Sequence, residues 1–133
     1  MIILLCGVSG VGKTWLRERA FPTYPHIDIR DIYKDLPSAD WSMATMALAT
    51  RVRKMLREHG TVVIEGYFLP GTQSRQMLMN ELHSYDIEVT SIFVHAPCLV
   101  CASRIEESGE NVEKRLDLLF KRWPYARGRM EGC

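Results

Sequence analysis

The sequence has 133 residues, 47% hydrophobic and 25% charged, with a formal net charge of +1. That length suits one domain over residues 1–133, able to bury about two thirds of its unfolded surface. Its apolar runs fall far short of the roughly 20 residues that span a bilayer, and the near-zero charge makes no global electrostatic case for nucleic acid.

Met1 to Cys6 is an apolar run of strand length. It shares only its apolarity with a secretion signal, because it has no basic leader and runs straight into a glycine-rich octet. A first strand and a cytoplasmic location are therefore expected. The octet, Gly7-Val8-Ser9-Gly10-Val11-Gly12-Lys13-Thr14, matches G-x-x-x-x-G-K-[ST], the P-loop, with a strand before it and a helix after it. Gly7, Gly10 and Gly12 let successive N–H groups turn inward around an anion, and the helix dipole adds positive charge. Lys13 should reach the β- and γ-phosphates of a nucleoside triphosphate, and Thr14 should ligate magnesium.

Downstream, apolar and amphipathic stretches alternate, as in βαβ units with a parallel sheet. The expected elements are a helix over Lys13 to Ala20, a strand near His26 to Ile29, and a helix capped by Ser38 or Asp40. In that helix Trp41, Ala44, Leu48, Val52 and Met55 recur at helical spacing, and Gly60 ends it. Thr61 to Glu65 is the third strand, apolar as if covered on both faces. After a loop over Gly66 to Gly71, a helix runs from Thr72 to about Ser84 with Leu78 and Leu82 inward. Glu88 to His95 is the fourth strand, with Ile92, Phe93 and Val94 as its core. Pro97 opens a helix to about Glu107, and Asn111 caps a last one to about Arg122, with Pro124 to Cys133 as a loosely held tail. Trp15, Trp41 and the methionines read as core. The expected fold is α/β, a P-loop NTPase fold with a minimal doubly wound sheet of about four parallel strands flanked by helices. Ligands in such sheets sit at the carboxyl ends of the strands.

Cys6 reads as a small core residue and Cys133 as a free terminal thiol. Cys98 and Cys101 form a lone C-x-x-C with no second pair for zinc, and a redox role rests only on their place near a helix start. Arg51, Arg53, Lys54 and Arg57 make one basic cluster; Lys114, Arg115, Lys121, Arg122, Arg127 and Arg129 make another, interrupted by Asp117. Solvated helix faces and phosphate contact both account for them. His26, His59, His83 and His95 are scattered and carry no assigned role.

What the nucleotide is used for is read from the other strand ends. The Asp-x-x-Gly and Asn-Lys-x-Asp motifs of switch GTPases are absent, and the chain is short for motor-type ATPase machinery. Instead His26-Ile27-Asp28-Ile29-Arg30-Asp31-Ile32-Tyr33-Lys34 follows the second strand, and Val63-Ile64-Glu65-Gly66 closes the third. Carboxylates beside a terminal phosphate can accept a hydroxyl proton or hold magnesium. Asp28 and Asp31 also fit turn or cap positions, and Glu65 also fits an ion pair with a nearby arginine.

At these residues the chain resembles small P-loop kinases, most of all the 5′-kinase domain of phage-type polynucleotide kinases. Arg30-Asp31-Ile32-Tyr33-Lys34 fits that family's Arg-Asp-x-Tyr-Arg/Lys segment. The resemblance implies ATP and Mg2+ as cofactors, Asp31 as general base, and Arg30 and Lys34 beside the acceptor phosphate. Lys34 keeps the charge of the family's arginine but loses its bidentate fork. Of the family's lid arginines the first falls at Arg104. The second position is Ser108, so Arg115 would have to swing in to balance transition-state charge. Glu65 is a candidate for magnesium or acceptor contact, and Arg75 for acceptor phosphate or plain surface. The expected acceptor is a 5′-hydroxyl of DNA or RNA. A small metabolite, nucleoside or nucleoside monophosphate is the alternative, and a nucleotide-binding module or NTPase switch without an acceptor is a third.

Overall fold

The computed structural model describes residues 1–36 and 40–131, without the side chains of residue 41 and residues 124–131. Its elements are β1 (Ile2–Cys6), α1 (Lys13–Ala20), β2 (His26–Asp28), α2 (Ile29–Asp35), α3 (Trp41–His59), β3 (Val62–Gly66), α4 (Gln73–His83), β4 (Val89–Phe93), α5 (Cys98–Ser108) and α6 (Val112–Glu131). Ser38 as a cap, and Cys133, lie outside the described residues.

The strands form one parallel sheet in the order β2-β3-β1-β4. β1 and β3 are central and wholly buried, which is why both read as unbroken apolar runs. On one face Ile2, Leu4, Cys6, Val62 and Ile64 join Ala44, Leu48 and Val52 of α3, Leu78 and Leu82 of α4, Ile105 of α5 and Leu119 of α6 in the main core. On the other, Ile3, Leu5 and Val63 meet Leu16, Phe21 and Ile92 in a smaller cluster, with Leu16 supplied by α1. The doubly wound α/β arrangement is as expected, with most helices on one face.

Local chemistry sets the element ends. Asp40 caps α3 by accepting the Met43 N–H at 2.9 Å, and Gly60 ends it at φ 81°. Thr72 caps α4 through the Arg75 N–H at 3.3 Å. α2 has no counterpart among the expected elements. It follows β2 without a turn, capped by Asp28, and buries Ile29 and Ile32. The last helix continues to Glu131 rather than ending near Arg122.

Other expectations fail on which face a side chain occupies. Trp15 is 58% exposed, with the Arg19 guanidinium 4.0 Å from its ring centre, and Met43 and Met46 are exposed on α3 opposite or beside the buried stripe. Ile92, Phe93 and Val94 do pack against the two cores, though only half-buried, because β4 lies at the sheet's edge. Among the described residues no helix is long and apolar enough to cross a membrane.

Candidate active site

β1 delivers the chain into the P-loop at the carboxyl end of the sheet. The Gly7 N–H donates to Gly66 O at 3.1 Å, tying the loop to the tip of β3. Gly10 has φ 80°, and a Cβ there would stand 2.5 Å from Cys101 O. Gly12, at φ 106°, forms the left-handed N-cap of α1, so Lys13 and Thr14 open the helix. The glycine spelling thus serves both backbone conformation and the close approach of α5.

Lys13 Nζ donates to Gly7 O at 2.7 Å and Val8 O at 2.9 Å, folding the ammonium over the loop. Burial pushes its pKa down to about 8, against the opposing pull of Asp28 and Glu65. Asp28 and Glu65 are register partners at the ends of β2 and β3. Two strand-tip carboxylates therefore share the lysine's surroundings.

Glu65 is 2% exposed yet fully engaged. Its Oε1 accepts from Thr14 Oγ1 at 2.8 Å and its Oε2 from Arg17 Nε at 3.0 Å. Of the alternatives for Glu65, the arginine pair is the one present, and the other carboxylate oxygen reaches the P-loop hydroxyl. Magnesium takes one or two protein oxygens together with substrate phosphates, so a hydroxyl beside a buried carboxylate fits that ion.

Asp28 caps α2, accepting the Arg30 N–H at 2.9 Å, and the Arg30 fork grips both oxygens at 2.6–3.1 Å. Burial alone would raise its pKa, but the Arg30 hydrogen bonds and charge, with Lys13, hold it below the usual carboxylate range. Those Asp28 bonds in turn raise the Arg30 pKa. Asp31 stands in the first turn of α2, half exposed, with Lys34 at a loose 3.9 Å. Asp28, Arg30 and Glu65 are among the charges that act on Lys13 beside its burial. Sequence reasoning gave Asp28 less weight than its place earns. The available signal was its position as the last residue of the second strand.

Two further guanidinium groups rest on the loop. Arg104 of α5 donates to Val11 O at 2.8 Å and Gly10 O at 3.4 Å. Arg115 of α6 reaches the loop, donating from Nε to Ser9 Oγ at 3.1 Å and from a terminal nitrogen to Ser108 Oγ at 2.8 Å. Ser108, where a second lid arginine was expected, holds another arginine in its place. Burial, followed by the Arg30 charge, lowers the Arg115 pKa.

From there α6 reaches the tips of β3 and β4. The Arg122 guanidinium lies 4.5 Å from the Tyr67 ring centre, and Trp123 stacks on His95 at 5.1 Å. Arg75 instead turns inward. It donates to Phe68 O at 3.2 Å and Ser91 Oγ at 2.9 Å, and lies 5.0 Å from the Phe93 ring centre. These bonds tie α4 to β4 and leave Arg75 half-buried. Burial raises the Cys98 and Cys101 thiols, the reverse of what a redox pair needs. It likewise pushes Cys6 up to about 11.

No family model matches the chain, and no curated protein does. Solved structures do. A chain of the Pnkp1/Rnl/Hen1 RNA repair complex superposes with a TM-score of 0.60 and 16% identity, over 93% of this chain and 45% of that one. This chain therefore spans less than half of that longer protein. A gluconokinase from Sinorhizobium meliloti 1021 follows at 0.58 and 20% identity, over 88% of this chain and 71% of the other. A shikimate kinase from Bacteroides thetaiotaomicron gives 0.50 and 19%, over 97% and 82%. At such identities the likeness is one of fold. The chain has the fold of P-loop kinases.

Proposed function

We propose that the chain is an ATP- and magnesium-dependent phosphotransferase that moves the γ-phosphoryl group to an alcohol, with a 5′-hydroxyl of DNA or RNA as acceptor. The observation that carries this reading is the pairing of buried Glu65 with Thr14, beside a Lys13 ammonium that also feels Asp28. A simple anion binder needs the amide nest and lysine, but gains nothing from carboxylates that repel the phosphates.

The residues divide into an inner and an outer set. The P-loop amides from Gly7 to Thr14, with Val8, Ser9 and Val11 among them, orient the triphosphate. Thr14 and Glu65 would hold the metal, which when bound neutralises phosphate charge. Lys13, Arg104 and Arg115 balance the charge that spreads over the transferring oxygens. Asp31, one turn further out, accepts the proton of the attacking hydroxyl. Both Asp28 oxygens are occupied by Arg30, whereas among the described residues the one ion pair of Asp31 is long and solvated. Arg30 at the start of α2 and Lys34 in its last turn would meet an acceptor phosphate.

One observation favours a small-molecule acceptor as the second reading. Part of the basic charge is neutralised in place, with Arg51 on Asp35 and Lys121 on Asp117, both at 2.9 Å. The gluconokinase and shikimate kinase that share the fold point the same way. Incubation with γ-labelled ATP and separate 5′-hydroxyl oligonucleotides, nucleosides, monophosphates and sugars tests both. Label on oligonucleotides, with transfer that weakens steeply as salt rises, supports the first reading. Label confined to a small acceptor replaces it with the second. Release of free phosphate alone, stimulated by no acceptor, would leave an NTPase switch.

A further inference from the structure

We propose that a groove between the end of α3 and the segment before β4 holds a nucleotide of a single-stranded polynucleotide whose 5′ end lies at the P-loop, a placement that rests on the nucleic-acid acceptor reading. α3 contributes Arg53, Leu56 and Arg57, and the segment before β4 contributes Tyr85 and Ile87, around about 250 Å³ of open space. These residues precede β3 and β4, whereas the P-loop follows β1. The groove therefore lies at the opposite end of the parallel sheet, about 17 Å away along a five-residue strand. It is separate from the site described above.

Its lining combines what a nucleotide needs. The Arg53 guanidinium lies 4.0 Å from the Tyr85 ring centre, a planar stack on which a base can lie. Leu56 and Ile87 add apolar surface beside it. Arg57 and the adjacent Lys54 are exposed cations, and among the described residues neither has an ion pair or hydrogen bond. Of the acids nearby, Glu58 lies 3.8 Å from His59, and neither Asp86 nor Glu88 pairs with Arg53 or Arg57. The negative end of α3 accounts for Arg57 alone. It explains neither Arg53 stacked on Tyr85 nor the recess beside them.

The occupant follows from this chemistry and from where α3 leads. A bare phosphate would meet the cations but leave the ring and the aliphatic surface unused, whereas single strands use both kinds of contact. α2, which carries Asp31, is tied to α3 by the Arg51–Asp35 pair at 2.9 Å. Arg57 lies two turns further along the helix, about 9 Å. A strand with its 5′-hydroxyl at Asp31 thus meets the groove within a few nucleotides.

Anisotropy of a 3′-fluorescein, 5′-hydroxyl RNA of about 12 nucleotides tests the groove on the intact chain without requiring transfer. The wild type should bind it, and Lys54→Ala/Arg57→Ala should weaken binding by roughly 10–100-fold at about 50 mM salt. The same variant should make the fall of log K with log salt shallower by about 1.4. Tyr85→Leu should weaken binding at least about 5-fold with the salt slope unchanged. Transfer to a 5′-hydroxyl dinucleotide, too short to reach the groove, should be equal in all three proteins. Variants that bind the strand like the wild type would overturn the proposal, as would a wild type that does not bind it. Label on the dinucleotide in that event leaves the transferase reading standing. Strand binding through the groove, with no label on either RNA, overturns the acceptor reading instead and leaves the groove's ligand assigned.

Discussion

Substituting Gly10 by alanine separates two demands that the P-loop makes on one residue. Its φ of 80° costs an L-residue roughly 1–2 kcal/mol. The new methyl would also stand 2.5 Å from Cys101 O and 3.0 Å from Ile105 Cγ1. Because Cys101 O is backbone, relief requires moving α5, an overpacking cost of about 1–3 kcal/mol. Gly60 provides the control, with φ 81° and nothing within 4 Å of a built Cβ. Gly60→Ala should lower stability by about 1 kcal/mol, part of the strain being offset by a stiffer unfolded chain. Gly10→Ala should lose roughly 2–5 kcal/mol, or about 8–20 °C in Tm for a domain of this size. Urea and thermal unfolding of both variants measure the difference. A Gly10→Ala protein no less stable than Gly60→Ala would refute the close packing of α5 against the loop.

Lys13 gives a pH test. Its pKa is about 8 in the folded chain against 10.5 unfolded, so between those values the unfolded state binds more protons and stability should rise with pH. Lys13→Met should lack that rise in unfolding curves taken without nucleotide. The opposing loss from Cys6, whose pKa climbs from 9.0 to about 11, is present in both proteins and somewhat larger in Lys13→Met, because the lysine charge lowers that pKa. Parallel curves would show that burial does not burden the lysine. Ser108→Ala removes the hydroxyl that holds Arg115, and transfer should slow by roughly 3–10-fold with ATP affinity nearly kept. Arg115→Ala should slow it by at least as much, and an unaffected rate in Arg115→Ala would remove that arginine from the reaction.

The sequence spelled out those parts of the site whose residue types have few other uses. Lys13 to Ala20 forms the expected helix, the glycine pattern marks the loop, and the unbroken apolar runs identify β1 and β3. What escaped depends on context. α2 spans seven residues directly after a three-residue strand, with no turn residue to announce it, and its cap Asp28 doubles as the strand tip. Trp15 reads as core by type, yet only α1 supplies a helix against its face of the sheet and the ring lies outward on Arg19. Arg75 illustrates the reverse, a charge turned inward because Phe68 O and Ser91 Oγ satisfy it. Arg115 reaches Ser9 and Ser108 from the next helix, contacts that sequence spacing alone does not announce.

The assignment of roles to Asp28 and Asp31 bears most directly on the proposed chemistry. With γ-labelled ATP and the acceptor found in the labelling panel, single-turnover transfer should fall by roughly 10²–10⁴ in Asp31→Asn, while ATP affinity stays near wild type. Asp28→Asn should instead loosen the Arg30 fork and weaken acceptor binding. Wild-type transfer by Asp31→Asn, with the loss falling on Asp28→Asn alone, would contradict the account and make the inner carboxylate the base.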